Sequence, residues 1–109
     1  MKIKINFKGK KIELDVKEMR GMNKMLGLMV FRKDALFFDF GNFKRMAIHS
    51  IFCPRFLAIW LDKSNKVVEF KFIKNWHFSI KPKKDFSKLI EIPVADSYKK
   101  ILRMFSINF

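Results

Sequence analysis

The first seventeen residues place the tightest constraint on what this chain folds into. Ile3, Ile5 and Phe7 alternate with Lys2, Lys4 and Asn6, and beyond Lys8-Gly9-Lys10 the residues Ile12, Leu14 and Val16 alternate with Lys11, Glu13, Asp15 and Lys17. A period of two on both sides of a glycine turn predicts an amphipathic β-hairpin. Its polar face carries both signs of charge, so cross-strand pairs of Lys with Glu or Asp are expected, and these lysines read first as a solvated face.

After the hairpin the period changes. Met19, Met22, Leu26 and Met29 recur at spacings of three and four, which predicts a short helix near residues 18–29 with a methionine stripe that fills core. From residue 35 the pattern is β again: Ala35 to Phe40, Met46 to Cys53, Phe56 to Asp62, Lys66 to Lys74 and Lys88 to Pro93. Phe56 to Leu61 is apolar at every position, as for a strand covered on both faces, whereas Val68, Phe70 and Phe72 alternate with Glu69 and Lys71. Asp62-Lys63-Ser64-Asn65-Lys66 reads as a hairpin loop between the third and fourth of these strands. Tyr98, Ile101, Leu102 and Phe105 then return to helical spacing behind Asp96 or Ser97, either a candidate N-cap, which predicts a helix near 96–105. The expected fold is mainly β: a single-domain antiparallel β-sandwich or small barrel over residues 1–109, with one short helix early and one late.

Composition narrows the class further. At 109 residues there is room for one core, and a chain half hydrophobic is too apolar to remain disordered. The single cysteine, Cys53, cannot form an intramolecular bridge, and the alternating Met1-Lys2-Ile3-Lys4-Ile5 is not a signal-peptide block, which points to the reducing cytoplasm. The longest apolar run, Phe56 to Leu61, is far shorter than the roughly 20 residues of a membrane-spanning helix.

Lys and Arg number 24 against 10 Asp and Glu, a net charge of +14. Such an excess attracts polyanions, because lysines that meet phosphates release condensed counterions. Compositional bias is the competing explanation, since Lys, Ile, Phe and Asn are abundant while Gln and Thr are absent. The stretch Lys74-Asn75-Trp76-His77-Phe78-Ser79-Ile80-Lys81-Pro82-Lys83-Lys84 interleaves cations with rings, the arrangement by which basic groups follow a backbone while aromatics stack on bases. Lys74, Trp76, Lys81, Lys83 and Lys84 are the polyanion-binding candidates, with the hairpin lysines as a second source of charge. Against this stands a lysine-rich surface loop whose Trp76 and Phe78 turn inward.

Catalytic groups are few. The histidines are His49 and His77, and with Cys53 they make three soft ligands, one short of a closed zinc site without a carboxylate. His49 and Cys53 are four apart in a segment that reads as strand, where that spacing covers roughly 13 Å. No metal or cofactor is therefore expected. The glycines lie too far apart for a P-loop or a dinucleotide fingerprint. Cys53 beside Ile51 and Phe52 reads as a buried thiol.

Several segments, in order, resemble the domain-of-unknown-function family 192. Gly27-Leu28-Met29-Val30-Phe31-Arg32 is similar to the family's Gly-Leu-Met-Phe-Arg with one extra residue, and Ala35-Leu36-Phe37-Phe38-Asp39-Phe40 to its Leu-Leu-Phe-x-Phe strand. Ile48-His49, Ile59-Trp60-Leu61-Asp62 and Lys66-Val67-Val68-Glu69 resemble its central hairpin, and Lys81-Pro82-Lys83-Lys84 with Leu89-Ile90-Glu91-Ile92-Pro93 its later segments. The resemblance implies a compact β-sandwich-like fold and carries over no catalytic residue. The chain lacks the acidic residue that usually precedes the family's apolar strand, having Phe56-Leu57-Ala58 there, and lacks its C-terminal Gly-Asp.

The sequence thus points to a non-enzymatic binding or interaction domain with a basic surface, suited to weak, non-specific contact with nucleic acid. The alternative is an uncharacterised enzyme or small-ligand binder with a pocket near Arg32, His49, Cys53 and Trp60.

Overall fold

A computed structural model describes residues 1–19, 34–44, 55–73 and 83–107. These residues form strands β1 (Lys2–Phe7), β2 (Lys10–Asp15), β3 (Lys17–Met19), β4 (Leu36–Lys44), β5 (Phe56–Leu61), β6 (Val67–Ile73) and β7 (Phe86–Pro93). A 3-10 turn over Asp96–Tyr98 then leads into helix α1 (Lys99–Met104). The fold is mainly β, as expected, and takes the sandwich alternative. A two-stranded sheet β1-β2 packs on an open five-stranded sheet of order β3-β4-β7-β5-β6.

The hairpin forms as its alternation requires. Ile5 pairs with Ile12 and Phe7 with Lys10, leaving Lys8 and Gly9 as a two-residue loop, both at positive φ (51° and 79°). This is the conformation whose twist matches the flanking strands. Ile3, Ile5, Ile12, Leu14 and Val16 are buried, and their lysine and carboxylate neighbours are exposed. Lys2 Nζ lies 3.9 Å from Glu13 and the N-terminal amine 3.4 Å from Asp15, the expected cross-strand pairing.

The inner face of the hairpin crosses the large sheet from one edge to the other. At one end Val16 passes directly into β3, an edge strand. At the other, Asn6 bridges Lys66 ahead of β6, the opposite edge, and its N–H donates to Asn65 O at 2.9 Å. Between sheets and helix lies one core of Phe37, Leu57, Ile59, Leu61, Ile90 and Ile92 against the hairpin, closed by Ile101, Leu102, Phe105 and Ile107. The opposite sheet face holds a second cluster of Leu36, Phe38, Phe56, Ala58, Trp60, Ile73, Phe86 and Leu89. Every residue of β5 is buried, which explains its uninterrupted apolar sequence.

Four details depart from expectation. Lys17–Met19 are strand, paired in parallel with Leu36–Phe38, so no helix begins at residue 18, and the sheet is not wholly antiparallel. The rest of that expected helix, residues 20–29, and the expected strand at 46–53 lie outside the described residues. β7 starts at Phe86 rather than Lys88, and β4 runs on to Lys44 through a register shift. Neither Asp96 nor Ser97 makes a side-chain cap. Tyr98 instead ties the helix to the sheet, its hydroxyl accepting the Ala35 N–H at 2.8 Å.

Candidate polyanion interface

The edge of the sheet at β6 gathers lysines from three separate parts of the chain. The first is the hairpin turn. Phe7 stacks on Phe105 (4.3 Å between centroids) and meets Phe70 of β6 edge-on (5.4 Å), which fixes the turn beside this strand. Lys8 and Lys10 follow, both exposed, with Lys8 Nζ 5.2 Å from the Phe7 ring. The second is the β5–β6 loop. Asp62 Oδ1 accepts the N–H groups of Ser64 (2.8 Å) and Lys66 (2.9 Å), and Asn65 takes a positive φ of 64°. This side-chain turn leaves Lys63 and Lys66 exposed. The third is the approach to β7, where the Lys83 N–H donates to Glu69 Oε1 at 2.8 Å and so holds the exposed Lys83 and Lys84 against β6.

The carboxylates of this edge are largely committed. Asp62 holds its own loop, and Glu69 accepts the Lys83 N–H while Lys71 Nζ lies 3.4 Å from its other oxygen. Lys88 bridges inward, donating to Asn65 Oδ1 (2.6 Å) and Lys63 O (3.3 Å). Of the sequence candidates, Lys83 and Lys84 stand in this cluster, while Lys74, Trp76 and Lys81 lie outside the described residues. Lys63 and Lys66 were not anticipated. They sit in a loop that the sequence marks only as a turn, and only the β1–β6 bridge brings them beside the hairpin.

The alternative pocket is represented among the described residues by Trp60 alone, since Arg32, His49 and Cys53 lie outside them. Trp60 is 0% exposed, packs edge-on against Phe86, and keeps its indole N–H buried without a hydrogen-bond partner among the described residues. On the same sheet face, diagonal to Trp60 across the β5–β7 register, is Glu91, opposite Ala58 on one side and Leu36 on the other. Glu91 is 7% exposed, and burial pushes its carboxyl up to about 8 from an ordinary 4.5. At neutral pH it is mainly the uncharged acid, a hydrogen-bond donor inside an apolar sheet face. The described residues contain no group of three or more His, Cys, Asp or Glu able to hold a metal, and no helix among them is long and apolar enough to cross a membrane.

No protein-family model, no curated protein and no solved structure matches the chain. The resemblance to family 192 therefore supplies no site residue, and the functional reading rests on the geometry above.

Proposed function

We propose that this chain is a non-enzymatic binding domain that holds polyanions, nucleic acid foremost, along the β6 edge through Lys8, Lys10, Lys63, Lys66, Lys83 and Lys84. The observation that carries the reading is the convergence of exposed lysines from three chain segments on one edge, where Asp62 and Glu69 are engaged within the fold. Lysine is a point charge suited to phosphate, whereas base reading uses the fork of Arg or the amides of Asn and Gln, and this chain has no Gln. Affinity then comes from counterion release, with little sequence preference and dissociation constants of about 10⁻⁴ to 10⁻⁶ M at physiological salt. The single cysteine, which cannot form an intramolecular disulfide, supports a place in the reducing cytoplasm, where nucleic acid is abundant. The alternative pocket gains nothing from Trp60, which presents no surface to a ligand.

The test is a titration of labelled single- and double-stranded oligonucleotides at low and physiological salt. Wild-type protein is expected to bind both, with affinity falling steeply as salt rises. The exposed-site variants K8E/K10E/K66E and K83E/K84E are each expected to bind more weakly and with a shallower salt slope. Absence of binding at low salt, or equal binding by both variants, overturns the proposal.

A further inference from the structure

The hairpin has a second edge, and nothing among the described residues pairs with it. The N-terminal amine donates to Val16 O at 3.0 Å and Val16 N–H to Met1 O at 2.7 Å, so residues 1 and 16 form a hydrogen-bonded pair. By alternation Leu14, Ile12 and Lys10 also bond inward to β1, and the N–H and C=O groups of Lys11, Glu13 and Asp15 point away from it. The outward series next reaches Lys17, whose N–H is already taken by Ala35 O at 2.7 Å. Among the described residues, the open edge therefore runs from Lys11 to Asp15 and stops where the chain itself begins to pair with β4.

This edge borders a groove of about 670 Å³ that runs beside every residue from Lys11 to Lys17 and is walled on its far side by Tyr98, Lys100, Ile101 and Met104. Met104 is 43% exposed there, a large apolar side chain at the rim. The charges lining the groove are Lys11, Lys17 and Lys100 against Glu13, Asp15 and Asp34, an even balance in a chain of net charge +14. It does not select a polyanion. The strand that β2 already accepts shows what its edges favour: Lys2 stands opposite Asp15 and Lys4 opposite Glu13, alternating with Ile3 and Ile5. A strand on the outer edge meets the same two carboxylates from the other side. At physiological ionic strength the screening length of about 8 Å confines what it senses to this rim.

We propose that the outer edge of β2 docks an extended segment of a partner protein by strand addition, the segment alternating aliphatic residues, which enter the groove, with lysine or arginine opposite Glu13 and Asp15. Backbone hydrogen bonds to Lys11, Glu13 and Asp15 supply the affinity, and the groove and the two carboxylates supply the choice of sequence.

The probe is a short synthetic peptide in which isoleucine and lysine alternate, compared with the same peptide carrying glutamate for lysine and with one N-methylated along its bonding edge. Binding is followed by amide chemical shifts of the full chain. The lysine peptide is expected to bind with its largest shifts at Lys11 to Asp15, and the N-methylated and glutamate peptides to bind much more weakly. E13K/D15K, both surface changes, should weaken binding about tenfold, the size expected when two favourable cross-strand pairs become like-charge ones. E13P should abolish it by removing an outward N–H that the hairpin does not use, and a thermal melt of each variant separates loss of binding from loss of fold. Equal binding by all three peptides, shifts centred on the β6 edge, or displacement of the peptide by an oligonucleotide overturns the proposal. So does a dimer in sedimentation that E13P dissolves, since a second copy then occupies the edge.

Discussion

Glu91 is the residue whose chemistry most departs from its surroundings. A carboxyl between Ala58 and Leu36 holds its proton more tightly folded than unfolded, with a pKa near 8 against 4.5. Since the folded value is the higher one, its cost to folding is absent below about pH 4.5, grows through the window between the two values, and is complete above about 8. The full change is on the order of 5 kcal/mol. Denaturant unfolding at a series of pH values is expected to show stability falling from pH 5 to pH 8. Glu91→Gln, which keeps the shape and a donor, should flatten that slope and be the more stable protein at pH 8. A wild-type curve flat across the window would show that Glu91 is solvated or paired. The sequence contains the clue, because Glu91 shares its strand face with Leu89 and Pro93, but a lone carboxylate in an apolar run becomes legible as buried only when both neighbouring strands are known.

At the scale of elements, what was legible is what local period encodes. The hairpin and β5 follow from residues that specify their own faces: Ile3, Ile5, Ile12 and Leu14 alternate, and Phe56 to Leu61 do not. Residues 18–19 were misread because Met19 continues a helical spacing with Met22, while the partner that draws it into a strand, Phe38, is far along the chain; parallel pairing leaves no local signature. The candidate edge was half legible for a similar reason. Lys83 and Lys84 stand in an evident basic run, whereas Lys63 and Lys66 join only through Asn6. Two element-level tests follow. Lys8 holds a φ of 51° that costs a lysine side chain more than an asparagine. Lys8→Asn, giving Asn-Gly in the turn, should stabilise the protein by a few tenths of a kcal/mol, read as a higher denaturation midpoint at unchanged slope. Leu102, 0% exposed on α1, anchors the helix to the sheet. Leu102→Ala should cost about 2 to 5 kcal/mol in the same experiment, and a change below about 0.5 kcal/mol would mean the helix is not docked.

The whole molecule carries +14 on one small domain, and that charge acts on stability as well as on partners. Like charges crowded on one folded surface repel, so the melting temperature of the free protein should rise between low and physiological salt as screening sets in. A charge-reversal variant of the β6 edge should show a smaller rise. Fold class was legible at this scale because alternation recurs along the chain, but sheet order was not, and sheet order has a temporal consequence. β7 lies at the centre of the five strands, between β4 and β5, yet comes after all the others in the sequence. As the chain leaves the ribosome, β4 and the β5–β6 pair wait with matching edges open, and they cannot join through Leu89 to Ile92 until the last strand has been made. The five-stranded sheet therefore cannot close until β7 has been made. The nascent chain spends that interval with its most apolar strand, Phe56 to Leu61, uncovered on the edge that β7 later fills, the condition in which chaperone capture and aggregation compete.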